Sequence, residues 1–213
     1  LTTMVDLVSR QGAGMTTAAA EERVRTALGI PAGISVTSYD PVAAAIQGDT
    51  RAATVQVAAS SVADTIGLLA NVVDGASTSV SANQSVTAVS QALASKLASG
   101  AAVDLNSTTT LSSTLTAAAS STGSTLSAEV TAIVSQVVSE QNTAKTDAVA
   151  NSWNPLDALR SISQVQAVSQ SDTSSALNDL GAGLVSTDDV QLLYTGVALT
   201  DAISAAPIGD VTG

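Results

Sequence analysis

Three aromatic side chains in 213 residues, Tyr39, Trp153 and Tyr194, with no Phe at all, decide most of what this chain can fold into. A core without large anchors gains stability through many small contacts and close backbone approach, at roughly 25 cal/mol per Å² of apolar surface buried. The hydrophobic residues, 45 % of the chain, are dominated by Ala and Val. Such a composition favours slim, tightly spaced helices, and the length suffices for a real core.

The same composition removes most chemistry. The chain has no His and no Cys, the usual general base, nucleophile and transition-metal ligands, so serine-triad, cysteine-nucleophile and zinc chemistries lose their central residues. Two-carboxylate or oxygen-ligated metal sites would still need a shaped apolar pocket, which aromatics usually build. The reading is no catalytic residue, no metal ligand and no cofactor.

Charge narrows the partners. The formal net charge is −11, and after Arg160 no base follows while Asp172, Asp179, Asp188, Asp189, Asp201 and Asp210 do. That sign repels phosphate backbones and anionic membranes, which argues against nucleic acid, and leaves a divalent cation as a weak option. The charge-free stretches 75–95 and 105–128 reach membrane-spanning length but are crowded with Ser and Thr, so no membrane insertion is expected. Leu1 opens the sequence without a charged-then-apolar leader, which reads as a processed chain or a fragment.

Apolar spacing of three and four, broken by Gly, Pro and Asx, predicts an all-α multi-helix bundle of about seven or eight helices. A first helix spans 2–10 and a second follows a Thr16 or Thr17 cap. A connecting segment, 30–39, leads to Asp40-Pro41, where Asp caps and Pro takes the first helical position. From 50 to 74, Val55, Val62, Ile66, Leu69 and Val73 form a heptad-like stripe. Further helices are expected over 77–99 (Val86, Val89, Leu93, Leu97), from 105–107 through Leu111 and Leu115, over 125–150, over 154–169 or somewhat beyond, and over 188–205. Residues 1–206 read as one domain, with a subdivision near 100–105 as the alternative, and 207–213 as an extended exit.

The pairs Tyr39-Asp40-Pro41 and Trp153-Asn154-Pro155 share one logic: an aromatic before the cap, then Pro. Tyr39 and Trp153 are accordingly expected to pack back as helix-start anchors, with Trp153→Ala costing on the order of 3 kcal/mol.

The segments Leu1 to Val5, Ala19-Ala20-Glu21-Glu22-Arg23-Val24-Arg25-Thr26-Ala27-Leu28-Gly29-Ile30-Pro31-Ala32-Gly33 and Ser38-Tyr39-Asp40-Pro41-Val42-Ala43-Ala44-Ala45, with Val55-Gln56-Val57-Ala58, are similar to an Ala-rich helical region of very large bacterial surface and repeats-in-toxin-type secreted proteins. The resemblance covers about the first 70 residues and implies an extracellular, cell-surface setting among tandem repeats. The Gly-Gly-x-Gly-x-Asp calcium repeats of that class are missing, so calcium binding does not carry over, and no functional residue does.

Sharper readings yield to plainer ones. Asp179, Asp188 and Asp189 near glycines invite a calcium site, but their spacing matches no EF-hand, and acids suit a helix first turn. Glu129 with Glu140, or Asp147 with Asp157, could be argued into acid/base pairs, yet fall among solvent-face positions. Asn83-x-Ser85 and Asn106-x-Thr108 match glycosylation sequons that Ser/Thr-rich chains carry by chance. The expectation is a non-enzymatic structural module of a secreted bacterial surface protein: adhesin stalk, surface-layer or matrix component. Its partners are neighbouring domains or identical copies. A self-polymerising filament subunit, or a calcium- or glycan-binding surface domain, are the alternatives.

Overall fold

The computed structural model describes residues 1–12 and 14–207, and among them every regular element is helical. In chain order these are α1 (Thr2–Gln11), α2 (Thr17–Ala27), α3 (Pro41–Ile46), α4 (Ala52–Gly75), α5 (Ala82–Ala98), α6 (Thr108–Thr122), α7 (Ala128–Ala150), α8 (Pro155–Val168), a π-helical turn (Ser169–Thr173), α9 (Ser174–Gly181), α10 (Thr187–Tyr194) and α11 (Gly196–Ala205).

Side chains that accept orphan backbone amides set many of the starts. Thr16 accepts from Ala19 N, Asp40 from Val42 N and Ala43 N, Ser107 from Thr110 N, Ser127 from Val130 N and Asn154 from Asp157 N. Ser81 and Gln84 make a reciprocal capping box, which starts α5 later than apolar spacing suggests. Val86, in the second turn of α5, is 42 % exposed, while Val89, Leu93 and Leu97 are buried.

The bundle has more helices than the seven or eight expected: ten among the described residues when α8, the π turn and α9 count as one run. The stretch expected as one helix over 188–205 divides, which adds a helix, whereas the polar stretch after Val168 stays helical to Gly181 and lengthens the α8 run without adding to this count. Thr195 is extended (φ −132°, ψ 164°) and Gly196 has φ +59°, a conformation that Gly alone adopts without strain. Pro207 follows extended Ala206, and the rest of the expected exit, 208–213, lies outside the described residues.

Helix α4 is the spine. It packs against α3, α5, α6, α7, α8 and α9, and buries the heptad-like stripe with Ile66 at its edge. It is long and apolar enough to cross a membrane by length and composition, and it is mostly buried within the bundle. Two apolar clusters share α4 and α5. One joins Leu68, Leu69, Val72 and Val73 to α6, α7, α9 and Val190, and the other joins Val55 and Val62 to α1, α2, Ile30, Ile34, Val36 and Leu105.

Small residues allow the closest approach. A Cβ added to Gly75, the last residue of α4, would lie 2.0 Å from the Asn178 carbonyl oxygen, and one on Gly181, the last of α9, 2.3 Å from that of Val72. The two backbones therefore touch where α4 and α9 cross, the solution anticipated for a chain poor in large side chains.

One expected anchor is overturned. Trp153 is 98 % exposed, so it holds no core. Asn154 spends both side-chain ends on Asp157 and Pro155 begins α8, while the nearby core is built from Ala45, Ala52, Ala53, Ala158 and Leu159 without the indole. Tyr39 is different. It packs against the second cluster and donates its hydroxyl to Asp49 Oδ2 at 3.0 Å.

Candidate functional site

Polar chemistry in this molecule concentrates inside the bundle, along a seam where α4, α7 and the α8–π–α9 run meet. Helical spacing puts it there. On α7 the buried face that begins with Ile133, Val134, Val137 and Val138 continues through Gln141, Asn142 and Lys145. On α4, Ser61, Asp64 and Thr65 share a face with Leu68 and Val72.

The seam centres on an ion pair. Lys145 Nζ lies 2.7 Å from Asp64 Oδ2, with both side chains essentially sealed from solvent. Burial pushes the Lys145 ammonium below the usual lysine range, and the Asp64 carboxylate opposes that shift. Lys145 also donates to Asn142 Oδ1 at 3.1 Å, and Gln170 Nε2 donates to Asp64 Oδ1 at 3.2 Å. Asp64 Oδ2 has no hydrogen bond of regular angle, so the ammonium serves it as an ion-pair partner alone.

Neighbouring polar groups extend the network. Asn142 Nδ2 donates to Thr65 Oγ1 at 3.1 Å and to the Leu105 carbonyl at 2.9 Å. Ser169 Oγ donates to Gln141 Oε1 at 2.7 Å, and Gln141 Nε2 to Thr173 Oγ1 at 3.0 Å. Farther along, Asn71 Nδ2 donates to Ser174 Oγ at 2.6 Å, and Asn178 Nδ2 to the Asn71 carbonyl at 3.1 Å. Ser61 Oγ is buried with no partner.

The π turn is what brings its strand of the seam into place. Ser171 (φ −104°, ψ −108°) breaks the helical ladder, and the wider turn aims Ser169 and Thr173 at Gln141 and Gln170 at Asp64. Buried charges persist when paired and hydrogen-bonded, and breaking one such pair typically costs about 3–5 kcal/mol. The arrangement fastens three helical runs in one register.

The acids singled out in the sequence hold helices together. Glu129 and Glu140 are separated by 11 residues of α7, about 16 Å along its axis, too far for joint acid/base work. Glu129 accepts from the Thr187 hydroxyl at 3.0 Å, and Glu140 from Gly196 N at 2.7 Å, so they pin α10 and α11 to α7. Asp157 accepts from Asn154 and Arg160, while Asp147 is exposed beside a cleft between α7 and α11. Asp189 receives the Ser186 hydroxyl at the start of α10, and Asp188 is exposed in the same first turn. No group of three acids among the described residues stands close enough to hold a metal ion. Asn83 lies in the first turn of α5 and Asn106 donates to Thr146 Oγ1.

Comparison of the chain with protein-family models, with curated proteins and with solved structures returns no match.

Proposed function

We propose that this chain is a non-enzymatic structural module, a stiff helical spacer of a secreted bacterial surface protein such as an adhesin stalk or surface-layer component. The observation that supports this reading most is the use of its buried polar groups. Asp64, Lys145, Gln141, Asn142, Ser169 and Thr173 bond to one another across helices, which serves rigidity. The acidic, hydroxyl-rich surface and the resemblance of the first 70 residues support the extracellular setting.

A specific surface favours a second reading, assembly with identical copies. Leu184, Leu192, Leu193 and Val197 are exposed around α10 and α11, at 74 %, 73 %, 55 % and 77 %. Sedimentation and negative-stain imaging of the isolated chain separate the two. A monomer with a single cooperative melt fits a spacer. Ordered fibres that Leu192→Asp abolishes establish a filament subunit.

A further inference from the structure

Fastening does not exhaust what the centre of the seam is equipped to do. It places a buried primary amide and a buried carboxylate against one buried amine: Lys145 Nζ lies 3.1 Å from Asn142 Oδ1 and 2.7 Å from Asp64 Oδ2. We propose that these residues form a self-modifying centre, in which Lys145 Nζ attacks Asn142 Cγ, Asp64 shuttles the proton, ammonia leaves, and an internal Lys–Asn amide cross-link closes on α7.

The step balances without a co-reactant. Asp64 takes a proton from the ammonium, giving a neutral amine and a carboxylic acid. The amine adds to Cγ, and the tetrahedral centre passes a nitrogen-bound proton through Asp64 to the amide nitrogen of Asn142. The C–Nδ2 bond breaks, neutral ammonia departs, and Asp64 ends protonated beside the new amide. Two buried charges disappear, and with them the desolvation cost of an ion pair in a dry interior.

Each residue is prepared for its part. Burial shifts the lysine toward the neutral amine that a nucleophile needs. The Asn142 amide is held by Thr65 Oγ1 and the Leu105 carbonyl on its nitrogen side, so its carbonyl meets the amine. Positions 142 and 145 are three apart on one helix, neighbours within reach of a bridge that leaves the helix intact. Asp64 is the less suitable electrophile, because condensation with it would consume the one acid in contact with the amine. The inference rests on the seam alone and stands whether or not the module belongs to a surface protein.

Intact-mass spectrometry of the purified wild-type chain, denatured after prolonged incubation in its folded state, tests this directly. The expected mass is about 17 Da below that of the sequence, one ammonia. Trypsin should then fail to cut after Lys145 and release a single fragment, 97–160, carrying the whole deficit. Lys145→Arg should have full mass. A full-mass wild type cut normally after Lys145 overturns the proposal, as does a deficit in a fragment still cut there, which marks a succinimide. A deficit of about 18 Da joining 52–96 to 97–160 overturns Asn142 as the electrophile in favour of Asp64.

Discussion

At the scale of single residues, space decides the sign of a substitution before chemistry does. Gly67, inside α4, has open space where a Cβ would go, so Gly67→Ala should stabilise by up to about 1 kcal/mol through helix propensity. The same change at Gly75 or Gly181 drives a methyl into a carbonyl oxygen, and overpacking outweighs propensity. A loss of about 2–3 kcal/mol is expected, read from urea midpoints. Trp153→Ala should move stability by less than about 0.5 kcal/mol, since the indole packs on nothing. Glu21 Oε1 accepts from the Ser35 hydroxyl at 2.7 Å and from Thr37, which holds its carboxyl below the usual range. A depressed acid contributes stability above the ordinary carboxylate range and loses it as pH falls through its folded value. Glu21→Gln should therefore lower the neutral plateau of a stability-versus-pH curve and leave its acid end nearly unchanged, which flattens the acid limb. The residue level was only partly legible in the sequence. Asp40, Ser107 and Thr16 announce their caps by type and position, whereas Tyr39 and Trp153 look alike in sequence and differ in that Tyr39 finds Asp49 and an apolar cluster while Trp153 stays exposed.

At the scale of elements, α7 shows both what periodicity reveals and what it hides. Its stripe of Ile133, Val134, Val137 and Val138 locates the helix, and extending the same spacing by a turn or two reaches Gln141, Asn142 and Lys145. Those residues carried the signal of the seam, but polar side chains at such positions look like a helix end until the facing helix is known. Asp64 sat in the same way among the apolar neighbours of α4. The π turn was less accessible still, because Ser169-Gln170-Ser171-Asp172-Thr173 has the composition of a loop and remains helical only because its side chains bond to Gln141 and Asp64. Asp64→Asn leaves the Lys145 ammonium buried without a counter-charge, and a loss of about 3–5 kcal/mol is expected by denaturant unfolding. Changing Asp64 and Lys145 together to Leu and Met should recover much of that loss, since an apolar pair of similar volume avoids the desolvation cost.

At the scale of the whole molecule, a chain with three aromatics compensates in two ways: backbones that touch where α4 crosses α9, and a polar seam that ties α4, α7 and the α8–π–α9 run into one unit. The all-helical class followed from small apolar residues at helical spacing, while the length of the α8–π–α9 run and the division of α10 from α11 depended on packing and on Gly196. Native-state hydrogen exchange tests the central claim most directly. Amides of 64–73 in α4, 134–145 in α7 and 162–180 across the π turn should share the slowest rates and a common opening free energy equal to that of global unfolding, with α10 and α11 exchanging sooner. If 169–181 opens independently of α4 and α7 at much lower free energy, the seam does not hold the molecule together and the account fails.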